Sequence, residues 1–458
     1  MQFQQATRRV FAAVLLGLAL VALSAAYWAV IGAQTLLLRE DNARLFLAQA
    51  SIVRGGIYDR AFTPLVISDE AATRRYLAPA MYSALGYYSL RYGVGGVEAV
   101  YDQTLRGDNL PRDLSAYFAT EGLHRPQRGS DLQLTLDERL QTAAVNALGS
   151  YRGAVVLLDA ESGAVLALVS APSFDPNTLD TNWETLTAAP EEPFFNRALQ
   201  GRYQPGSVLQ TPLLAAALLA GISPDQPTEN PTVPVSVNGL TLRCALPPDG
   251  ETLTLAQAYA NACPAPFASL FDQVGAISVE QMFSAFRIGT PIILPGFEDD
   301  ADVPLATPDF AVFSIGDALG QGDLTVSPLA VAVMTAAVVN DGNAPQPYLL
   351  LATRSPGSAV WQASNSVYAT VPIITQATSE ALRTVMQASA LRLGSNGAGQ
   401  GAHIATAYAG ERAHAWFTGF APDRNGRTIA VALVLEDTED AAAAAQVGAA
   451  VLAAIRVG

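Results

Sequence analysis

The longest uncharged stretch of the chain lies close to its amino terminus. Residues 10–38 carry no charged side chain, and the first part of this stretch is long enough to cross a bilayer as a helix. Two arginines precede it, and basic flanking residues favour the cytoplasmic side. The pattern predicts a cytoplasmic tail at 1–9 and a single transmembrane helix at 10–36 in the cell membrane, with the remainder extracytoplasmic. A signal peptide cleaved near Ala26 is the alternative, and the arginine pair also matches a twin-arginine export signal.

Strand-like and helical patterns follow one another in the rest of the chain. Residues 128–148, "RGSDLQLTLDERLQTAAVNAL", alternate apolar and polar positions up to Leu136 and then change to helical spacing. This change predicts a strand followed by a helix. Further along, two apolar runs flank Ser162 and Gly163, which is the pattern of a β-hairpin.

The last part of the chain continues this mixture. The segments "HIATAYAG" and "TIAVALVLED" predict strands of a buried sheet, and the alanine-rich tail from Asp440 predicts a helix packed on that sheet. Helices combined with antiparallel hairpins indicate an α+β fold. We place an elongated amino-terminal module at 37–129 and a second domain at 130–458.

Composition excludes several classes of function. The net charge is −15, and all 26 basic residues are arginines, so the 458-residue chain contains no lysine. Without a basic run, no nucleic-acid partner is expected. Three histidines and two cysteines do not match a zinc site, and we expect no metal and no cofactor. Cys244 and Cys263 would lie outside the membrane, where they could form a disulfide or remain two small buried thiols.

One serine stands at a distinctive point in the apolar pattern. The stretch "QPGSVLQTPLLAAALLAG" places Ser207 at a Pro-Gly turn, directly before an apolar run that predicts a buried helix. A small polar residue at this point suits a helix N-cap, where its hydroxyl accepts from a free backbone N–H. It also suits a nucleophile, provided that a base lies close enough to take its proton.

Six sequence blocks follow one another after residue 50: "RGGIYDRAFTPL", "LTLDERLQTAA", "GAVVLLDAESGAVLALVSAPSFDPN", "NRALQGRYQPGS", "GQGDLTVSPLAVAVMTAAVVNDG" and "AHAWFTGFAP". Together they resemble the class B penicillin-binding proteins, the membrane-anchored D,D-transpeptidases that cross-link peptidoglycan. The resemblance implies a transpeptidase domain with an antiparallel sheet flanked by helices. It implies peptidoglycan stem peptides or β-lactams as ligands, and a membrane glycosyltransferase of the elongation or division machinery as a partner.

The chemistry of that family rests on three motifs, S-x-x-K, S-x-N and K-T-G. In the first motif the serine attacks a carbonyl, and the lysine one helical turn later can take its proton. The first motif falls on Ser207 and Gln210, so the nucleophile is kept and the base is replaced by an amide. An amide cannot accept a proton at any useful pH.

The S-x-N motif supplies a hydroxyl for proton relay and an amide that holds the substrate. It falls on Ala262, Cys263 and Pro264, so both polar groups are absent. Asn261 lies one position out of register and is a doubtful substitute.

In the family, the K-T-G strand recognises the substrate carboxylate, and the backbone N–H of the serine together with one on that strand makes the oxyanion hole. The motif falls on His403, Ile404 and Ala405, which removes the cation and the hydroxyl. Thr406 continues the strand as the family does.

One histidine could replace the missing base. In this fold His403 would face Ser207 across the cleft, and a Ser–His pair would favour hydrolysis over transpeptidation. The alternative is that His403 is a tolerated polar residue at the cleft edge. Arginine cannot act as the base because its pKa exceeds about 12. We expect His414, beside Trp416, to serve in packing.

Three hypotheses follow from these residues. The first is a scaffolding pseudoenzyme that acts in peptidoglycan and cell-envelope biogenesis through contacts, with Ser207 as a helix cap. The alternative is an active serine D,D-transpeptidase or hydrolase that uses Ser207 with a non-lysine base such as His403. The third is a sensor that binds peptidoglycan fragments in the cleft that is catalytic in the family. Polar groups are lost from all three motifs, and this favours the first hypothesis.

Overall fold

A computed structural model describes residues 2–28, 49–110, 125–297, 313–364, 369–395, 397–410 and 412–457. The strands are, in chain order, β1 (Ile57–Tyr58), β2 (Pro64–Ser68), β3 (Arg74–Tyr76), β4 (Tyr87–Ser89), β5 (Gly93–Gly95), β6 (Asp131–Leu134), β7 (Gly153–Asp159), β8 (Val165–Ala171), β9 (Val235–Val237), β10 (Leu240–Leu242), β11 (Asn343–Pro345), β12 (Leu350–Arg354), β13 (Gln362–Ala363), β14 (Thr370–Pro372), β15 (Gly401–Ala409), β16 (Arg412–Pro422) and β17 (Thr428–Leu435).

The α-helices of the described residues are α1 (Gln2–Tyr27), α2 (Tyr82–Leu85), α3 (Val97–Val100), α4 (Asp102–Arg106), α5 (Glu138–Leu148), α6 (Leu179–Thr187), α7 (Gln210–Leu219), α8 (Leu255–Ala260), α9 (Pro264–Val274), α10 (Ala276–Ala285), α11 (Ile315–Ala318), α12 (Pro328–Val339), α13 (Gln376–Arg392) and α14 (Ala441–Val457). Short 3₁₀ helices occur at Pro79–Met81, Pro176–Thr178 and Gly206–Leu209. We call the last of these the serine turn.

The central sheet is antiparallel, in the order β15-β16-β17-β7-β8. Side chains of successive strand residues point to opposite faces, so each face buries its own set. In β16, Trp416 and Phe420 enter the core on one face, and Phe417 enters the core on the other. The apolar helix α12 packs on the first face, and α5 and α14 pack on the second. The sheet is therefore buried on both faces, with β15 as an edge strand.

A second sheet, in the order β13-β12-β6-β1-β2-β3, combines strands from both sides of residue 130. Beside it, Arg54 and Arg74 each approach a carboxylate oxygen of the fully buried Glu98 at 2.7 Å. Burial alone would raise the pKa of Glu98, but the two guanidinium groups outweigh it and lower the pKa below its ordinary value. The amino-terminal strands are thus held by hydrogen bonds to later strands and by a buried charge cluster.

The structure confirms the α+β fold class and most of the predicted elements. The strand and helix expected at 128–148 are β6 and α5. The hairpin predicted around Gly163 is formed by β7 and β8. The predicted strands near the carboxyl terminus are β15 and β17, and the tail forms α14.

The amino-terminal helix extends beyond the start of the predicted transmembrane segment. Helix α1 begins at Gln2 rather than at Val10, because the polar residues before the apolar run continue the same helix. Its apolar part, Thr7–Tyr27, has a mean hydropathy of 2.4 and none of it is buried, and by length and composition it can span a bilayer. Residues 29–36 of the predicted span lie outside the described residues.

Candidate active site

Ser207 lies in the serine turn, which leads directly into α7. The preceding Gly206 has φ of +52°, and a Cβ at this position would lie 2.1 Å from the carbonyl oxygen of Thr406 on β15. The Gly206 N–H also donates to the carbonyl of Gly320 at 2.9 Å. Glycine is required here for both the backbone conformation and the close approach. The turn therefore holds Ser207 against β15, the edge strand of the central sheet.

Side chains from the central sheet anchor the residues that precede Ser207. The indole N–H of Trp416 donates to the carbonyl of Gln204 at 3.0 Å. The Tyr203 hydroxyl donates to Glu436 at 2.7 Å, and Arg197 pairs with the same carboxylate at 3.0 Å. The approach to the serine is thus fixed by a satisfied polar network.

The structure contradicts the predicted N-cap role of Ser207. Pro205 occupies the N-cap position of the serine turn, and no side-chain oxygen caps it. Because the serine turn begins at Gly206, Ser207 lies inside the turn rather than at its N-cap. Among the described residues, Ser207 Oγ has no hydrogen-bond partner. The half-buried side chain lines a cleft instead.

This cleft is narrow: the space between its lining atoms is about 310 Å³ even when the solvent at its mouth is included. It brings together the serine turn, the start of α9, strand β15 and the end of the β9-β10 hairpin. Its lining consists of Ser207, Gln210, Leu242, Arg243, Pro264, Leu319, Gln321, Thr406 and Tyr408. Positions of the first two motifs therefore meet at one site with Thr406, which follows the third motif on β15.

Gln210 occupies the position of the missing lysine and is 1% exposed. Its Nε2 donates to the carbonyl oxygen of Cys263 at 3.2 Å, and its Oε1 has no donor among the described residues. The side chain thus links the serine helix to the S-x-N segment. It offers no group that can take a proton from Ser207.

The S-x-N positions supply no polar side chain to the cleft. Ala262 is fully buried with φ of +49°, and Pro264 starts α9 and lines the cleft wall. Asn261 ends α8 and donates from its amide to the carbonyl of Gln257 at 2.8 Å. Its side chain is therefore engaged with its own helix and is not a substitute for the missing amide.

The structure joins Cys244 and Cys263 in a disulfide, the first of the two states that the sequence left open. Cys244 follows β10, and Cys263 is the middle residue of the S-x-N triplet. The bond therefore ties the β9-β10 hairpin to the wall of the cleft.

The structure gives His403, which the sequence proposed as the base for Ser207, a different contact. The imidazole is fully buried, and its Nε2 lies 2.9 Å from the backbone carbonyl oxygen of Ser207, not from the hydroxyl. Because a carbonyl oxygen only accepts, this Nε2 carries the hydrogen. The ring stacks on Tyr259 with centroids 3.9 Å apart. Burial lowers the pKa of His403 to about 4, so the ring is neutral at physiological pH.

The other two K-T-G positions are apolar. Ile404 and Ala405 are fully buried on opposite faces of β15, and Thr406 reaches the cleft. His414 is buried and meets the ring of Tyr203 edge to face, with centroids 5.2 Å apart. This geometry agrees with the packing role expected for His414.

Sequence reasoning missed three polar residues of the cleft, Arg243, Gln321 and Tyr408. Gln321 accepts through Oε1 from the backbone N–H of Tyr408 at 3.1 Å, and Arg243 contributes a guanidinium group. The only signal for Arg243 was its place beside one of two cysteines. The backbone N–H of Ser207, the expected oxyanion donor, has no acceptor among the described residues. Within the same ranges, no three His, Cys, Asp or Glu side chains are grouped to hold a metal ion.

Comparisons with known proteins place this site in a family context. The family model described as the penicillin binding protein transpeptidase domain matches residues 153–455. The chain is 31% identical to the peptidoglycan D,D-transpeptidase PbpA of Mycolicibacterium smegmatis over 98% of both chains. It is 30% identical to PbpA of Mycobacterium tuberculosis, again over 98% of both chains.

A solved structure shares the fold. It is the imipenem acyl-enzyme complex of penicillin-binding protein A from M. tuberculosis, with a TM-score of 0.74 and 28% identity. The alignment covers 89% of this chain and 99% of that chain. The fold therefore matches that of a relative solved as an acyl-enzyme complex, although the polar groups around Ser207 differ from the three motifs.

Proposed function

Because the chain belongs to the penicillin-binding protein transpeptidase family and so acts in peptidoglycan synthesis, we propose that it is a catalytically impaired, membrane-anchored member. Its cleft binds stem peptides or β-lactams, and its contribution to envelope biogenesis is made mainly through contacts. One observation carries this proposal. Among the described residues, no basic group forms a hydrogen bond with Ser207 Oγ.

The absence of a base for Ser207 lowers the rate of acylation more than it lowers the affinity of the cleft for a ligand. General-base catalysis contributes about 10²- to 10⁴-fold to reactions of this kind. Gln210 cannot supply it, and the Nε2–H of His403 is directed at a carbonyl. The nucleophile and one oxyanion donor remain, so the site can still bind and orient a carbonyl without efficiently activating the hydroxyl.

The test is covalent labelling of the full-length protein in detergent. Wild type and Ser207→Ala are incubated with a fluorescent penicillin, and adducts are measured by denaturing gel and intact mass. PbpA of M. tuberculosis serves as the reference. We expect acylation at Ser207 at least about a hundredfold slower than in the reference, or none. Labelling of wild type at the reference rate, absent in Ser207→Ala, would contradict the impairment.

A second candidate is an active serine D,D-transpeptidase or hydrolase whose base comes from the substrate or a partner protein. It is favoured by one observation, the open hydroxyl and N–H of Ser207 at the cleft. The two candidates differ in cells, since a scaffold tolerates Ser207→Ala and an enzyme does not. Complementation of a deletion strain by wild type and by Ser207→Ala separates them.

We further propose the membrane arrangement and the partner. The arginines before the apolar helix favour a cytoplasmic amino terminus. In the proposed arrangement, a transmembrane helix at 10–36 is followed by a module at 37–129 and an extracytoplasmic domain at 130–458. A membrane glycosyltransferase is the partner that the resemblance implies. Protease protection of tags at the two termini tests the orientation, and co-purification from membranes tests the partner. Digestion of the amino-terminal tag from outside would contradict the orientation.

A further inference from the structure

The cleft contains one formal charge on its described lining, and it is positive. Arg243 lines the cleft together with Ser207 and Thr406, and no Asp or Glu lines it. The Arg243 side chain is exposed and has no hydrogen bond or ion pair with any described residue. Asp249, the nearest acidic residue along the chain, pairs instead with Arg392 at 3.3 Å. The described lining of the cleft thus carries one cation without a partner, in a chain whose net charge is −15.

The backbone that carries Arg243 is fixed at two points. Strands β9 and β10 form a hairpin whose turn is Asn238-Gly239, both with positive φ, a pair suited to a tight hairpin. The Asn238 amide donates to the carbonyl of Gln321, another cleft residue, at 3.0 Å. At the other end, Cys244 is bonded to Cys263 on the opposite wall. The hairpin therefore presents Arg243 to the cleft from a constrained main chain.

Strand β15 occupies the place of the family's K-T-G strand, but it has no lysine. His403 stands at the lysine position of the K-T-G motif, but it is buried and neutral and binds a backbone carbonyl. No positive side chain of β15 lines the cleft. A ligand with an anionic group can find its counter-charge only on the hairpin side of the described cleft.

We propose that Arg243 is the anion anchor of this cleft and that the site takes ligands with a free carboxylate next to the carbonyl presented to Ser207. A guanidinium group binds a carboxylate through two parallel N–H donors, which gives orientation as well as attraction. This inference rests on the proposed ligand-binding role of the cleft, and it does not require acylation. In this proposal the ligand carboxylate is recognised by the disulfide-tied β9-β10 hairpin, whereas in the family it is recognised by the K-T-G strand of the central sheet.

The experiment measures carboxylate discrimination in a protein that cannot be acylated. Full-length Ser207→Ala in detergent is titrated calorimetrically with a diacetylated tripeptide ending in D-alanyl-D-alanine and with its carboxamide. Penicillin G and its methyl ester form a second pair, which separates peptide from β-lactam ligands. We expect each acid to bind about tenfold or more tightly than its neutral partner, and the difference to shrink at high salt.

Two further variants assign the effect. Adding Arg243→Gln should remove the discrimination, and Arg243→Lys should retain part of it. Arg424→Gln changes the same charge at an exposed site away from the cleft lining and should leave the discrimination unchanged. Thermal unfolding checks that each variant is folded.

The outcomes separate the inference from the proposed function. Equal binding of acid and neutral ligand, or discrimination that persists in Arg243→Gln, overturns the role of Arg243 while the binding function stands. Absence of binding by all four probes at millimolar concentration overturns the binding function and the anchor together.

Discussion

Two buried side chains determine the chemical state of Ser207. Gln210 and His403 both make one hydrogen bond to backbone carbonyls and leave an acceptor atom without a donor among the described residues. Both therefore hold the serine turn in position without acting on the hydroxyl. At these two positions, side chains that hydrogen-bond to the backbone stand where the family motifs have lysines.

A single substitution tests this view. Gln210→Lys introduces an amine at the position of the family's base, in surroundings whose burial should lower its pKa and leave part of it neutral. We expect the rate of acylation by fluorescent penicillin to rise about tenfold to a hundredfold. Gln204→Lys is the matched control. An unchanged rate in folded Gln210→Lys protein would show that the other altered motifs are sufficient to prevent acylation.

His403 also gives a pH dependence to stability. Its pKa is about 4 in the folded protein and about 6.5 when unfolded, so the unfolded chain binds the proton first as the pH falls. Stability is therefore complete above about pH 6.5 and decreases towards pH 4, by about 3 kcal/mol at most. We expect the thermal midpoint of wild type relative to His403→Phe to fall between pH 7.5 and pH 4.5. A constant difference across this range would contradict the buried neutral ring.

At the scale of the element, the serine turn depends on one glycine. A methyl group on Gly206 would clash with the Thr406 carbonyl, and its positive φ is unfavourable for alanine. We expect Gly206→Ala to cost about 2–3 kcal/mol of unfolding free energy. Gly250→Ala is the control, since nothing lies within 4 Å of a Cβ there. Equal thermal midpoints for the two variants would argue against the close approach to β15.

The β9-β10 hairpin depends on the disulfide. The bond closes a loop with a sequence separation of 19 residues, and such a loop is worth about 3 kcal/mol. We expect a Cys244→Ser and Cys263→Ser double variant to unfold at a lower temperature in the absence of reductant. Reductant should lower the midpoint of wild type and leave that of the double variant unchanged. A wild-type midpoint insensitive to reductant would argue against the bond.

At the scale of the whole molecule, the amino-terminal strands are not separate from the later chain. Strand β6 pairs with β1 on one side and with β12 on the other, so a single sheet spans residues far apart in sequence. The cluster of Arg54, Arg74 and Glu98 lies in the same region. Hydrogen bonds across this sheet couple the amino-terminal strands to the fold that carries the cleft.

Removing the buried carboxylate should weaken this part of the molecule. Glu98→Gln leaves two buried guanidinium groups without their counter-charge, which costs about 3–5 kcal/mol. Limited proteolysis should then cut first within 49–110, and the thermal midpoint should fall. Glu161→Gln, at an exposed turn, should change neither. Equal protease resistance of the two variants would show that the cluster contributes little.

The sequence by itself determined much of the molecule. Local periodicity was sufficient for the apolar amino-terminal helix, the β7-β8 hairpin and the terminal strand and helix, because these patterns depend on neighbours along the chain. The motif positions were likewise enough to show that the lysine base is absent, since this requires only residue identities.

Only the tertiary structure decided what the remaining polar groups do. It directed His403 to a carbonyl, placed Ser207 inside its turn rather than at the cap, and brought Arg243 to the cleft. Each outcome depends on which atoms from distant segments come within hydrogen-bond distance and on how deeply they are buried. Those quantities arise from packing between elements, and local periodicity carries no information about them.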